Sequence, residues 1–525
     1  MITPATKNNS TRAILTLTSG AAFMKRETAS WMKKLASHYE KMRNLYPDDK
    51  LIILFDIDGT ILDMRYMILY VLRLFDRKNN TSYFERLNIS DITVHENQVK
   101  TLLTQLEIAD SQIEQIHNWY LRERWSRAAM IESHRPFRGV MEVIRWFQIQ
   151  PNTYVGLNTG RPESIRSETL TTLNELGREY KAVFTNELLY MNPLDWETNI
   201  KDSKAAGVIH LQEAGYRIFA FVDNEPLNLR AVSEVDTNRE ILLLHADTIF
   251  ESKRVQLPAV TVSGRAYDIT ELIDEHLLPR HVQFVWHGVN DRANLRQFIA
   301  SNIQWCECDL RLDARRDSII LRHDSMETHP SGENENYLFV EEVLEHIKKA
   351  DGKSMKLDLK ENGILIEKVI VVLEKYRLDD SRLWFNGNVE VHRESGFRRL
   401  SAVFPGSIIQ CPVDFMQPLI LSLPDKARDL LNTFSSWGIN RFSLSWKTPH
   451  LQQLLEQMDE WGFRVNVYNV PDLEAFLKVV LLQPESITSD FNFPKWHYYG
   501  RGSGENLRYH KYSIMPYQQS TFSSV

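Results

Sequence analysis

Asp56-Ile57-Asp58-Gly59-Thr60 directly follows the β-branched run Leu51–Phe55. Two carboxylates two residues apart, at the carboxyl end of a buried strand, stand where an open α/β sheet places its ligand crevice. The first can attack phosphorus if a cation neutralises the approaching anion. The second is then placed to move a proton to and from the leaving oxygen. Thr159-Gly160-Arg161 follows the run Tyr154–Asn158 and offers a hydroxyl and a backbone amide to phosphate oxygens. Lys201 and Lys204, expected to precede the helix that leads into the next run, Ile218–Val222, supply an ammonium, and Asp223-Asn224-Glu225, with Asn228 beyond, can hold a cation after it. Singly, Thr159 or Asp223 reads as a helix cap. All of them at strand ends, in this order, read as a phosphate site.

A second constellation lies in the other half of the chain. His287-Gly288 ends the run Phe284–Trp286. Glu307 and Asp309 alternate with Cys306 and Cys308, so the two acids share one face of a strand. His323 ends a short apolar run, and Asp358 and Lys360 share a face of the following strand. Three carboxylates make a hard oxygen site suited to Mg²⁺ or Ca²⁺. Two histidines on opposite sides of a phosphate can divide base and acid work, and Lys360 can offset developing charge.

The elements that must position these residues are of two kinds. Between Leu51 and His245 short continuous apolar runs, including Ala182–Phe184 and Ile241–His245, alternate with amphipathic stretches. Such runs are the mark of buried parallel strands. The segment between the first and second runs carries helical spacing alone, so a doubly wound, Rossmann-like sheet with a helical insertion at about 64–150 is expected. From His281 to about 495, eight strand-like runs recur with helical stretches between most of them, which predicts a (β/α)8 barrel. An extra strand is expected at Ser318–His323, and a helix at Ile269–Leu278. The expected division is a leader and first helix at 1–48, the first domain at 49–275, the barrel at 281–495 and a tail at 496–525.

A chain of 525 residues is too long for one ordinary core. Hydrophobic residues at 43% and charged residues at 25% mark a globular chain rather than a disordered one. Lys plus Arg is 62 and Asp plus Glu 69, a net charge of −7, so no basic excess exists to track a nucleic-acid backbone. Three cysteines are too few for a disulfide framework, and with the absence of any bilayer-length apolar run they suit a cytoplasmic protein. The first 26 residues carry Lys and Arg but no acid, faintly like a targeting segment; a loose leader is the simpler reading.

The motifs Asp56–Thr60, Asn158–Arg161, a lysine and Val222–Pro226 resemble those of the haloacid-dehalogenase-like (HAD) phosphohydrolases, over about residues 50–245. That resemblance implies Asp56 as nucleophile, Asp58 as acid/base, Thr159 as phosphate binder, Lys204 or Lys201 as charge stabiliser, and the insertion as a cap. It also implies Mg²⁺ on Asp56, the Asp58 carbonyl and Asp223. The family's fourth motif usually carries another acid, where Asn224 and Asn228 stand here. The second half resembles the phospholipase-C-like phosphodiesterase barrels, among them glycerophosphodiester phosphodiesterases, sphingomyelinase D and the menorins. Phe284–Gly288, Glu307–Leu310, Leu321–Asp324, Lys356–Lys360, Phe463–Asp472 and Ser486–Phe491 carry that likeness. It implies Glu307, Asp309 and Asp358 as metal ligands and His287 and His323 as the acid/base pair. The usual His-Arg-Gly opening is His-Gly here, no Pro-Glu-Asn-Thr follows, and Tyr468 stands where the glycerophosphodiesterases usually have Trp. The expected function is a phosphodiesterase joined to a phosphomonoesterase, acting on small phosphoesters that include lipid-derived head groups. The alternatives are a barrel that forms a cyclic or transferred phosphate, or one half that only binds or regulates.

Overall fold

The computed structural model describes residues 30–194, 199–248, 256–273, 275–313, 315–329, 336–361 and 363–491. Most of the expected leader, the whole of the expected tail at 496–525 and the end of the expected barrel at 492–495 lie outside these residues.

The first half is built on six parallel strands: β1 (Lys50–Phe55), β2 (Thr153–Pro162), β3 (Leu189–Asn192), β4 (Tyr216–Asp223), β5 (Leu242–Ala246) and β6 (Val262–Gly264). Their order is β3-β2-β1-β4-β5-β6, so the chain winds outward in both directions from β1. Period-two alternation divides β1 between two cores. Ile52 and Leu54 pack with Val208, Leu211, Leu229 and Val232 of the helices Ile200–Glu213 and Pro226–Val235. Leu51, Ile53 and Phe55 face the other layer, which holds Tyr39 of the helix Trp31–Leu45 and Phe147 of the helix Val140–Gln148. Helices Arg65–Asn79, Val99–Gln105, Asp110–Glu123 and Arg127–Ser133 fill the insertion between β1 and β2, as the helical spacing predicts.

Three expectations change here. Ala182–Phe184 is not a strand, although Ala182 and Phe184 are buried and Val183 is exposed. Its backbone is bonded instead by side-chain amides, Gln148 serving both polar groups of Val183 and Asn174 both of Phe184. The strand is β3, a few residues on. Lys201 and Lys204 do not precede a helix but lie in its first turns. The expected helix at Ile269–Leu278 is two short pieces, α-helical at Ile269–Leu272 and 3₁₀ at Glu275–Arg280.

The second half is a closed barrel. Its strands are β7 (Gln283–Trp286), β8 (Trp305–Asp313), β9 (Ser318–Leu321), β10 (Leu338–Phe339), β11 (Ser354–Leu359), β12 (Leu383–Asn386), β13 (Ile408–Pro412), β14 (Arg441–Ser445), β15 (Val465–Val470) and β16 (Ser486–Ser489). In this ten-stranded sheet β9 and β10 are an antiparallel flap on β8; the other eight are parallel and close through β16–β7 and β7–β8. Trp305, Trp384 and Val285 form an apolar plug inside the barrel. The helix Leu473–Leu482 is apolar on nearly every side because it is covered twice, by the barrel and by the helix Val140–Gln148. Arg145 and Lys181 tie the halves by donating to the carbonyls of Leu481 and Leu482 at 3.1 and 3.2 Å. Among the described residues no helix is long and apolar enough to cross a membrane.

Candidate functional sites

The switch point of a doubly wound sheet is a crevice because the chain leaves in opposite directions from adjacent strands. Here Asp56 leaves β1, Asp223 ends β4 and Thr159 lies near the end of β2. Lys204, 1% exposed, reaches the crevice from its helix. Its Nζ donates to Asp56 Oδ1 at 2.5 Å and to the Asn158 carbonyl at 2.6 Å, and lies 2.9 Å from Asp223 Oδ2. Lys201, three residues earlier, is exposed. Burial pushes the Asp56 carboxyl up to about 7, with Asp223 and Asp58 adding to the rise and Lys204 opposing it. Burial alone would lower the Lys204 ammonium, but Asp223 and Asp56 outweigh it and raise it.

Gly59 turns the chain with φ +78°, and a Cβ there would stand 2.5 Å from Asn224 Nδ2, so the turn and the loop after β4 touch. Asn228 donates to both oxygens of Asp223 at 3.1 Å and the Glu225 amide to Oδ1 at 2.8 Å. Asn224 is tied to Thr60, which also donates to Asp56 Oδ2 at 3.3 Å. Gly160 passes close to Ile200, where a Cβ would meet Cγ2 at 3.1 Å. The oxygens of Asp56 and Asp223 face one cation already, the Lys204 ammonium, and are chemically suited to Mg²⁺.

Arg161 does something its position in the sequence does not suggest. Its Nε and Nη2 donate to the two oxygens of Asp58 at 2.8 and 2.6 Å, and its guanidinium lies 5.3 Å from the Trp125 ring of the insertion. Burial works to raise the Asp58 carboxyl, but Arg161 outweighs it and holds it low. The insertion also reaches the crevice through His95, whose Nε2 is 3.4 Å from Glu225 Oε1.

In the barrel the acids converge near the end of β11 and within the first five residues of β8, where Asp309 pairs in register with Asp358 and Glu307 with Lys356. Glu307, Asp309 and Asp358 bring one oxygen each within 4.8 Å of one another. Their other contacts aim them: the Gly288 amide donates to Glu307 at 2.9 Å, Asn290 to Asp309 at 2.6 Å and Asn386 to Asp358 at 2.8 Å. Lys360 Nζ rests on Asp309 and Asp358 at 2.7 and 2.6 Å, so it already plays the part of a cation on the triad. An all-oxygen set of this charge fits Mg²⁺ or Ca²⁺.

His287 Nε2 is 3.9 Å from Glu307, and its Nδ1 bonds Asp490 at 2.8 Å. Burial works to lower the ring, yet Asp490 and Glu307 outweigh it and raise it to about 9. His323 sits at the rim with Nδ1 on Asp324 at 2.8 Å, its loop pinned by two bonds from Arg311 to its carbonyl. A cavity of about 400 Å³ joins His287, Glu307, His323, Asp358 and Lys360. It also takes in residues that sequence reasoning missed, notably Lys356 and Gln410. Lys356 carried a usable signal, since it alternates with Asp358 and Lys360. Asp490 carried none beyond standing at the end of its run.

No family model matches the chain, and no curated protein matches it. Among solved structures, a glycerophosphodiester phosphodiesterase from Parabacteroides distasonis is similar at 14% identity, covering 40% of this chain and 93% of that one, with a TM-score of 0.31. An Oleispira antarctica phosphodiesterase in complex with the product sn-glycerol-3-phosphate is similar at 15% identity, with coverages of 40% and 93% and a TM-score of 0.32. A HAD-superfamily hydrolase of subfamily IA from Geobacter sulfurreducens is similar at 12% identity, covering 41% of this chain and 92% of that one, with a TM-score of 0.28.

Proposed function

We propose that the chain is a bifunctional phosphoester hydrolase, a metal-dependent phosphodiesterase barrel joined to a Mg²⁺-dependent HAD-type phosphomonoesterase. The observation that carries the reading is the cluster of Glu307, Asp309 and Asp358, of which Glu307 and Asp358 line one cavity with two histidines, each oriented by its own carboxylate. A divalent ion held by the three acids would polarise the phosphoryl oxygens. His287, kept protonated by Asp490, is suited to give its proton to the departing alkoxide, and His323 to take one from the attacking water. Lys360 balances the acids around the transferred charge.

In the other half Asp56 would attack phosphorus while Asp58 handles the leaving group's proton. Thr159, Gly160 and Arg161 would meet the phosphate oxygens, and Lys204 would offset its charge. Mg²⁺ would be held by Asp56, the Asp58 carbonyl and Asp223, with Asn224 and Asn228 steadying the loop. The product of the first half would be the substrate of the second: glycerophosphodiester to glycerol phosphate to glycerol in its simplest version. Phosphorus NMR of a time course tests this. The monoester should accumulate in Asp56→Asn and be absent in His287→Ala; no EDTA-sensitive turnover in the wild type would reject it.

A second reading is favoured by one observation, the two-point bond of Arg161 to Asp58. A carboxylate with both oxygens so occupied is a poor proton carrier, so the phosphatase half would be silent until a phosphate draws Arg161 away. A lag in monoester turnover that Arg161→Ala removes would support it.

A further inference from the structure

The amino-terminal ends of the barrel strands carry a second cavity, of about 840 Å³, on the side away from the acid triad. Gln283, Trp305, Arg441 and Val465, which line it, are the first residues of β7, β8, β14 and β15. The Trp384 ring stands between the two cavities. It lies 4.5 Å from the Arg441 guanidinium of the floor and 5.1 Å from the Lys356 ammonium of the upper site. The first half of the chain adds Lys181 to the floor cavity, and the segment joining the halves adds Arg280 and His281.

On these walls every buried side-chain atom without a partner among the described residues is a nitrogen: Arg441 Nε, Trp305 Nε1 and His281 Nε2. The first two can only donate. Arg441 is 3% exposed. Its Nη1 donates to Gln283 Oε1 at 2.8 Å and Ser486 Oγ at 3.3 Å, and its Nη2 to Glu485 Oε1 at 3.2 Å. The Glu485 side chain is 43% exposed and shared with Arg464 at 3.9 Å, so water screens it and the Arg441 charge is met only in part. Burial holds that guanidinium down to about 10, with Glu485 opposing. Lys181 Nζ spends one donor on the Leu482 carbonyl and keeps two.

Charge and size select the occupant. The walls carry four cations, Lys181, Arg280, Arg441 and Arg464, against two acids, Asp459 and Glu485. A dianion balances that excess, whereas a single carboxylate leaves a positive charge over. Phosphate oxygens accept from several N–H donors at once, which is what the walls offer. The volume also leaves room for the organic part of an ester beside the phosphate.

We propose that the barrel floor binds a phosphate monoester, its phosphate held between Lys181 of the first half and Arg441 and Trp305 of the barrel. This site is separate from both candidate catalytic centres and does not depend on either hydrolytic reading. Because both halves wall it, an occupant ties them together.

Trp305 reports on the site. Its indole N–H resonance is identified by its loss in Trp305→Phe. It is then followed by proton–nitrogen NMR of the full chain in EDTA, at constant ionic strength, as glycerol phosphate is added. The resonance should move saturably, with half of the shift reached at about 1 mM or below. Lys181→Met and Arg280→Gln should each weaken the binding about fivefold or more, the loss of a charged donor. Arg280 is exposed, so its variant keeps the test decisive if Lys181→Met loosens the seam. Inorganic phosphate should bind more weakly; binding as tight as the ester's would overturn the monoester as occupant in favour of the free ion. A resonance that never moves, that chloride moves equally, or that moves with unchanged affinity in both variants would overturn the site itself.

Discussion

Replacing Asp490 by Asn would keep a side chain beside His287 Nδ1 and remove its charge. The ring is raised to about 9 against the effect of its own burial, with Asp490 the leading cause and Glu307 next. With a divalent ion on the triad the charges of Glu307 and Asp309 are taken up by it, and Asp490 becomes the main group holding the proton. The His287 and Asp490 side chains are 41% and 61% exposed, so water screens the pair and the full displacement is not recovered. A drop of about one pH unit, or about 1.4 kcal/mol, is the expected size. His287 as proton donor works only while protonated, and its activity is lost as pH rises through its pKa. The alkaline limb of kcat/KM should therefore move down by about one unit in Asp490→Asn. The leaving group sharpens the test. An alkyl alcohol needs the proton, and its release is followed by phosphorus NMR; nitrophenolate leaves without one, so its limb should hardly move. A limb unmoved with the alkyl ester, or moved equally with both, would refute the assignment of His287 as the acid.

Three further outcomes are expected. Lys204→Met strands the buried carboxylates of Asp56 and Asp223 and should cost about 3–5 kcal/mol in urea unfolding, part of it regained by adding Asp56→Asn; a cost below about 1 kcal/mol would contradict the pairing. His134 is 1% exposed with neither ring nitrogen bonded among the described residues, and burial with Arg161 beside it holds the ring down to about 3. Its unfolded form takes a proton below about 6.5, so the stability it contributes is present above that pH and lost as pH falls toward 3, about 2 kcal/mol of it by about pH 5. His134→Phe should remove that part of the acid loss, and an identical loss in both proteins would count against it. Mg²⁺ at about 100 times the dissociation constant of the barrel site should stabilise the wild type by about 2.7 kcal/mol through that site, seen as a rise in Tm that Asp309→Asn lowers and that Asp309→Asn combined with Asp223→Asn abolishes.

The two cores and most strands were legible because parallel strands buried on both faces must be apolar throughout, as Leu51–Phe55 and Ile218–Val222 are. Ala182–Phe184 misled because it is a short continuous apolar run like those of the buried strands, and only the placement of Gln148 and Asn174 shows that side-chain amides bond its backbone. The short β6 and β10 carry too few residues to show a period.

Residue type and spacing alone singled out the acids of the two clusters, both histidines and the pair of candidate lysines, because chemistry at a strand end needs those groups within a few residues. Which lysine reaches Asp56 depended on the turn of a helix that buries Lys204 and exposes Lys201. The bond of Arg161 to Asp58 and the support of His287 by Asp490 join residues far apart in the chain. Local pattern determines which face a side chain takes. Which groups it meets is decided by how the strands close around it, and only the closed sheet and barrel set that.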